Sequence, residues 1–358
     1  MKIIRIDKKD WEDGLERSRD SYRLMGPVKG DNRFVSEFRE LKKGEVPDLS
    51  SSDAVISPKS IAFPQSEAMF KYTTDEKSDE CNILKRPEKD YSPTAVIGIR
   101  PYDAAAFLIL KKNFDTEDYR DPYWTDAYEA CVFIGLAVNE PSSVDFSSSV
   151  NSGPFDEAGL DVLLVDAGDF FLAKKLTDKG GDYLKTAGWE TTVDSAEALR
   201  RIKEMKAMAE KKITSKISFD KILKKPIIEL YNADFWEDIA FACINCGTCA
   251  YLCPTCWCFD IQDENSGKSG RRDKLWDSCM FPLFTLHGSG HNPRNTKTMR
   301  ARQRFMHKLK YYPDKYEDGV MCVGCGRCVR FCPANIDIRK ICEIMNNYEP
   351  GANADNAR

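Results

Sequence analysis

Two short segments of this sequence carry the same arrangement of cysteines. The first, CINCGTCAYLCP, has the spacing C-x2-C-x2-C-x3-C-P and contains Cys243, Cys246, Cys249 and Cys253. The second, CVGCGRCVRFCP, repeats that spacing with Cys322, Cys325, Cys328 and Cys332. Three thiolates at this spacing can surround one face of a cubane iron–sulfur cluster, and the fourth ligates the other cluster when two clusters are present. The repeat therefore predicts two [4Fe-4S] clusters.

Crossed ligation assigns four cysteines to each predicted cluster. The first set is Cys243, Cys246, Cys249 and Cys332. The second set is Cys322, Cys325, Cys328 and Cys253. Zinc sites normally use four ligands at other spacings, so two copies closed by proline favour clusters over zinc or inert thiols. Because crossed ligands link the two clusters, electron transfer is favoured over a purely structural role.

Three further cysteines, Cys256, Cys258 and Cys279, follow the first motif. They could bind another metal together with a fourth ligand such as His291 or Cys342. They could also be buried thiols packed beside the clusters, since free cysteine behaves as a small hydrophobic residue. The sequence fixes no fourth ligand, so buried thiols are preferred and a third cluster is possible but not favoured.

Basic residues are concentrated between the two motifs, from Arg271 to Lys310. The net charge of the chain is -4, and no nucleic-acid-binding motif is present, so a nucleic-acid partner is not expected. A cubane held by four thiolates is anionic, and nearby guanidinium groups stabilise it and raise its reduction potential. We expect Arg271, Arg272 and Arg294 to have this electrostatic role.

The segment before the motifs alternates between strand and helix patterns. Apolar runs predict strands at Thr94–Ile99, Ala130–Val138 and Leu160–Asp166. Helical spacing of apolar residues predicts helices at Asp103–Phe114 and Asp194–Lys212. This alternation is typical of an α/β layer arrangement, whose strands and helices would support the cysteine-rich part of the chain.

The distribution of cysteines marks a boundary between two parts of the chain. Of 14 cysteines, only Cys81 and Cys131 precede the first motif. We predict an α/β domain with a mixed sheet over residues 1–235, and a mostly α-helical domain with a ferredoxin-like 2[4Fe-4S] module over residues 236–358. A second helical stretch breaks at Pro226, and the SGKSG segment at 266–270 lacks the context of a phosphate loop and is predicted to be a turn.

Composition predicts no membrane span. The longest apolar run, Ala130–Val138, is much shorter than the ~18 residues that a bilayer-spanning helix needs. The first residues, MKIIRIDKKDW, have scattered charges where a signal peptide would have an apolar segment. We therefore expect a cytoplasmic protein, in which clustered cysteines more often hold metal or perform redox chemistry than form disulfides.

The sequence resembles the iron–sulfur β subunit of cytoplasmic sulfhydrogenase-type [NiFe] hydrogenases and its relative, the iron–sulfur electron-transfer subunit of anaerobic sulfite reductase. The resemblance lies in CINCGTCAYLCPTCWCFDIQD, RRDKLWDSCMF, GSGHNPR, HKLKYY and CVGCGRCVRFCPANIDI, and extends to MGPVK, IGIRPYDAAAFLIL and PFDEAGLDVLLVDAGDFFLA. It thus covers nearly the whole chain. Family members commonly carry cysteines in the stretches where this sequence has Tyr102, Val138, Asp145 and Ser147, so the resemblance argues against an additional N-terminal cluster here.

The resemblance implies an electron-transfer subunit without catalytic residues of its own. Its two clusters would relay electrons between a flavin/NAD(P)-linked subunit or ferredoxin and a catalytic subunit of an anaerobic, hydrogenase-type or heterodisulfide-reductase-linked complex. One alternative is the electron-transfer subunit of an anaerobic sulfite reductase. An alternative of another class is an iron–sulfur regulatory or scaffolding protein. The expected assembly is a hetero-oligomer with neither a nucleic-acid nor a membrane partner.

Overall fold

A computed structural model describes residues 2–30, 36–50 and 54–350. The strands in these residues are β1 (Ile3–Asp7), β2 (Arg23–Lys29), β3 (Ser36–Glu40), β4 (Ser66–Thr73), β5 (Thr94–Ile99), β6 (Cys131–Leu136), β7 (Val162–Asp166), β8 (Phe170–Lys175), β9 (Phe259–Ser266) and β10 (Ser269–Trp276). They form one sheet in the order β1-β8-β7-β6-β5-β2-β3 and a smaller sheet in the order β4-β10-β9.

Helices cover the larger sheet and form most of the C-terminal part. They are α1 (Trp11–Ser18), α2 (Pro101–Phe114), α3 (Pro122–Glu129), α4 (Asp178–Thr186), α5 (Ser195–Lys212), α6 (Asp220–Lys224), α7 (Ile227–Tyr231), α8 (Phe235–Phe241), α9 (Thr248–Tyr251), α10 (Lys297–Met306), α11 (Tyr312–Tyr316), α12 (Arg327–Arg330) and α13 (Ile338–Asn347). A π-helical turn, His307–Tyr311, joins α10 to α11. None of the described helices combines the length and the apolar character that crossing a lipid bilayer requires.

The larger sheet is mixed, as predicted. Strands β2, β5, β6 and β7 pair in parallel, and β1, β8 and β3 add antiparallel pairs at its two sides. Every residue of β5 and β6 is buried, which is typical of parallel strands covered by helices on both faces. One face packs residues such as Val96 and Phe133 against Phe107 of α2, and the other packs Ile97 against the side of α1.

The elements predicted from periodicity are confirmed in this part of the chain. The three predicted strands correspond to β5, β6 and β7, and the two predicted helices correspond to α2 and α5. Asp194 caps α5, because its side chain accepts a hydrogen bond of 2.8 Å from the Ala196 N–H. Pro226 separates α6 from α7, as expected from its missing N–H and fixed φ.

The prediction of a mostly α-helical C-terminal part is only partly confirmed. Strands β9 and β10 form a hairpin, and β10 also pairs with β4, so the smaller sheet joins segments from both sides of the predicted boundary. The SGKSG segment is the predicted turn, at the tip of this hairpin, with Gly267 at φ +61°. Most of β9 is exposed, so its sequence lacks the apolar alternation that reveals a half-buried strand.

The helical part has its own apolar core, which supports the cysteine motifs from behind. Trp236 of α8, Phe305 of α10, and Ile341 and Met345 of α13 are all buried in it. The second cysteine motif lies against this core, since Cys322 and Cys328 pack at its edge. The position of this motif is therefore set by helix packing as well as by its own loop.

Candidate metal centre

The two cysteine motifs adopt the same loop conformation. In the first motif Asn245 and Gly247 have left-handed φ angles of 55° and 75°. Their counterparts in the second motif, Gly324 and Gly326, have φ angles of 71° and 72°. Each loop is followed by a single-turn helix, α9 or α12. Left-handed residues turn the backbone sharply and direct consecutive N–H groups inward, which suits the binding of an anion.

Backbone N–H groups already point at the thiols in both loops. The Asn245 N–H donates to Cys243 Sγ at 3.5 Å, and the Gly324 N–H donates to Cys322 Sγ at 3.4 Å. The Ile336 N–H donates to Cys332 Sγ at 3.3 Å. Such bonds stabilise sulfur in its negatively charged form.

A first cavity lies between the first loop and the end of the second motif. Its free space is about 550 Å³, and its cysteines are Cys243, Cys246, Cys249, Cys328 and Cys332. Cys332 belongs to the second motif, yet the structure places it with the three leading thiols of the first. Ile336 and Ile338 contribute apolar walls.

A second cavity adjoins the first, and most of its cysteines come from the second motif. Its free space is about 330 Å³, and its cysteines are Cys253, Cys322, Cys325 and Cys328. Here the fourth thiol of the first motif, Cys253, meets the three leading thiols of the second. Cys328 and Arg304 line both cavities, so the two spaces share a wall.

Three buried cations surround these thiols: Arg304, Lys308 and Lys59. Arg304 Nη1 donates to Cys256 Sγ at 3.4 Å, and Lys308 Nζ donates to Cys253 Sγ at 3.3 Å. Lys59 Nζ donates to the carbonyl oxygens of Cys253 and Cys256, both at 3.0 Å. In the described parts of the chain none of the three forms a salt bridge with a carboxylate. A buried charge without an opposite charge costs several kcal/mol, so these cations require anions in the cavities.

The donor atoms and charges fit two anionic [4Fe-4S] clusters. Arg304 is 2% exposed, and its Nε and Nη2 atoms have no hydrogen-bond partner among the described residues. Both nitrogens belong to a side chain that lines both cavities. Unpartnered buried donors at this wall are explained if cluster sulfurs accept from them. The thiol sets of the two cavities supply the soft ligands that iron–sulfur clusters use.

Burial and charge act in opposite directions on the pKa values of the thiols. Burial raises the pKa of Cys322, Cys325 and Cys328 to about 12 each. The pKa of Cys253 is lowered instead, because the Cys256 thiol donates a hydrogen bond to it and Lys308 lies beside it.

Comparison with known proteins agrees with this geometry. Residues 242–336 match the family model of the 4Fe-4S dicluster domain. This part of the chain is a 4Fe-4S dicluster domain. The chain is also 26% identical over 349 residues to "Sulfhydrogenase 2 subunit beta" of Pyrococcus furiosus, covering 95% of this chain and 97% of that protein. The resemblance predicted from the motifs is confirmed: the chain contains a 4Fe-4S dicluster domain and is similar over nearly its whole length to a hydrogenase β subunit.

A buried ion pair connects the dicluster domain to the α/β part. Arg327, between Cys325 and Cys328, contacts both carboxylate oxygens of Asp103 at 2.6 and 2.7 Å. Both side chains have an exposed fraction of 0%. The Arg327 Nε also donates to the Ala54 carbonyl at 2.8 Å. Sequence reasoning missed this pair, because 224 positions separate its members and neither motif indicates a partner.

Tyr102, Val138, Asp145 and Ser147, whose positions were compared above with family cysteines, lie near the second loop of the dicluster domain. Tyr102 and Val138 are buried and pack with Cys325 in one apolar cluster. Asp145 accepts a hydrogen bond of 2.8 Å from the Ser147 N–H. Apolar contacts and a local turn therefore occupy these positions, next to the second cavity.

The arginines predicted to act on the clusters do not reach the cavities. Arg271 and Arg272 lie in the first half of β10, where their partly exposed side chains pair with Glu264 and Asp263. Arg294 is half-buried, and it is not among the residues that line either cavity. β10 pairs with β4 in the smaller sheet. The short distance in sequence between these arginines and the first motif could not indicate this pairing. Arg304 and Lys308 line the cavities instead, and Lys59 donates to the carbonyl groups of Cys253 and Cys256.

The three additional thiols of the dicluster domain lie in apolar surroundings. Cys256 is buried in a small cluster with Cys253, and Cys279 is buried in another cluster that Cys258 packs against. The two candidate fourth ligands lie elsewhere: His291 is exposed and faces His287, and Cys342 is fully buried in the helical core.

Proposed function

We propose that this chain relays electrons through two [4Fe-4S] clusters with crossed ligation. The first would be held by Cys243, Cys246, Cys249 and Cys332, and the second by Cys322, Cys325, Cys328 and Cys253. The observation that carries the proposal is the pair of adjoining cavities, each of which brings the three leading thiols of one motif together with the fourth thiol of the other. Bound clusters would supply reversible one-electron storage, and the shared wall would keep the transfer distance between them short.

The residues of the chain would control charge, water and access. Arg304 and Lys308 supply buried positive charge that favours an added electron. Phe146 and Val323 close the second cavity with apolar surface. The first cavity is nearer the surface, since Cys246 is exposed and Ile244 is 66% exposed. Electrons would therefore enter or leave most readily at the first cluster.

The proposed partners are inferred from the similar P. furiosus protein, because the cavities do not identify a partner. That relative is by its name a subunit of a sulfhydrogenase, so we propose that this chain also belongs to a hydrogenase-type complex. A flavin/NAD(P)-linked subunit or ferredoxin would be on one side, and a catalytic subunit of a hydrogenase or a heterodisulfide-reductase-linked module on the other. The abundance of free cysteines supports a cytoplasmic location.

Paired cysteine variants test the ligation. Cys332→Ser should remove the first cluster and spare the second, although Cys332 lies in the motif that supplies three ligands of the second. Cys253→Ser should do the reverse. Cys342→Ser is the matched control, because it replaces a buried cysteine outside both cavities and should keep both clusters. Iron content and electron paramagnetic resonance (EPR) spectra of anaerobically purified proteins give the result. Loss of the cluster in the same motif as the substitution would show uncrossed ligation.

Anaerobic affinity purification from the native host tests the partners. Co-purification of [NiFe] hydrogenase subunits, or of a flavin subunit with heterodisulfide-reductase-like proteins, would support the proposed complex. A siroheme protein would instead support the sulfite reductase alternative. A chain that is isolated alone with its clusters intact would contradict membership of a complex and favour a regulatory role.

A further inference from the structure

A groove lies between helix α13 and the segment of chain that leads into α6. Its free space is about 1010 Å³, and polar side chains line it on both sides. One side is the chain from Ser215 to Lys221, most of which has no regular secondary structure. The other side is α13, whose Arg339, Glu343 and Asn346 line the groove at helical spacing. One face of a helix and one irregular segment therefore form the groove.

Hydrogen bonds join the two sides of the groove. Arg339 Nη1 donates to Ser215 Oγ at 2.8 Å. Further along α13, Asn346 Nδ2 donates to the Ser218 carbonyl at 2.6 Å, and Asn346 Oδ1 accepts from the Ile222 N–H at 3.2 Å. The groove is thus held in one shape by the fold. Because these hydroxyl and amide groups already bond to each other, they do not converge on a small ligand.

The side chains that line the groove carry an excess of positive charge. The cationic ones are Lys216, Lys221, Arg339 and Lys340. Arg339 pairs with Asp337 at 2.6 Å, and Lys340 pairs with Glu343 at 2.9 Å. Lys216 and Lys221 are exposed, and neither pairs with a carboxylate of the described residues. The net charge of the whole chain is -4, so this positive charge is a local property of the groove.

The groove lies next to the walls of both cluster cavities. Ile338, the first residue of α13, lines both cavities and directly precedes Arg339. Ile217 lines the groove and packs against the same apolar core as Cys322 and Cys328. A protein bound in the groove would therefore lie beside the second cysteine motif.

We propose that this groove is the docking site of an acidic electron-carrier protein. Exposed cations on long side chains complement an acidic surface and accelerate its association by electrostatic steering. A small anion would need donors that converge on one point, whereas the donors that join the two sides of the groove are already bonded. The acidity of the partner is inferred from the groove itself. Its role as an electron carrier rests on the proposed function.

Binding of an acidic ferredoxin to the anaerobically purified holoprotein tests the proposal. Isothermal titration calorimetry with both proteins oxidised measures the Kd without electron transfer. We expect Lys216→Glu combined with Lys221→Glu to weaken binding at least about tenfold, because like charges would then face each other. Lys43→Glu combined with Lys203→Glu is the matched control. It changes the net charge equally at exposed lysines outside the groove, and screening should limit its effect to less than about threefold.

Cross-linking of the wild-type complex gives a second test that needs no variant. A carbodiimide joins a carboxylate directly to a lysine amine where the two are in contact. We expect mass spectrometry to find ferredoxin carboxylates linked to Lys216, Lys221 or Lys340. Cross-links confined to lysines outside the groove would overturn the proposal, and so would equal weakening of binding in the two double variants. Tighter binding of inorganic phosphate or of a DNA oligonucleotide at the groove would overturn it as well.

The docking proposal and the proposed function fail in different measurements. Wild-type holoprotein that does not bind the ferredoxin would overturn the docking proposal and leave the relay intact. Clusters that cannot be reduced in an EPR-monitored titration would overturn the relay. Binding and cross-links at the groove in that same protein would still support an acidic partner there.

Discussion

The buried pair of Asp103 and Arg327 should be a main stabilising link between the α/β part and the second cluster loop. Both side chains are fully buried, and two short contacts of 2.6 and 2.7 Å join them. Asp103→Asn keeps the size of the side chain but leaves the Arg327 charge buried without its carboxylate. Removing one member of a buried pair costs about 3–5 kcal/mol, so we expect a loss of that size in the free energy of unfolding.

Anaerobic urea unfolding of the holoprotein, followed by tryptophan fluorescence and cluster absorbance, measures this loss. Asp263→Asn is the matched control, because it breaks the exposed pair with Arg272 and should cost at most about 1 kcal/mol. Replacing both buried charges, with Asp103→Leu and Arg327→Met together, should destabilise less than Asp103→Asn alone. A loss of under about 1 kcal/mol in Asp103→Asn, equal to the control, would refute this reasoning.

Three further predictions concern the cavities and a lone thiol. Arg304→Gln should lower both cluster potentials, since each lost charged hydrogen bond is worth about 1.5–3 kcal/mol. Arg302→Gln, on the same helix but outside both cavities, should leave the potentials unchanged in redox titrations. Gly324→Ala should lose the iron of the second cluster, because the added Cβ would lie 2.5 Å from the backbone of Ser147. Gly290→Ala is the control and should retain all of its iron, because the space around Gly290 is open. Burial raises the pKa of Cys131 to about 12, so iodoacetamide should not alkylate it at pH 8 until the protein unfolds; rapid alkylation of folded protein would contradict this burial.

The sequence predicts best what is local. The spacing of each motif predicts a tight loop within seven residues, and both motifs have the same left-handed turns. Which thiols hold the same cluster stays a prediction. The buried strands β5, β6 and β7 could be predicted equally well, because continuous apolar runs between turns are typical of a parallel sheet covered on both faces.

Long-range charge placement was not predictable in the same way. Arg271 and Arg272 were expected near the clusters because they follow the first motif. They lie instead on β10 of the smaller sheet, where their side chains form exposed ion pairs. Lys59 reaches the cavities from nearly 200 positions away, at Cys253 and Cys256. Such contacts depend on how the two parts of the chain pack, which no local pattern encodes.

An EPR-monitored redox titration of the anaerobically purified chain tests the central claim most directly. Two clusters that share a wall should each accept one electron reversibly, giving about two spins per chain and spectra broadened by magnetic interaction between them. A single reducible cluster, or two that do not interact, would contradict the account of two adjoining clusters that relay electrons.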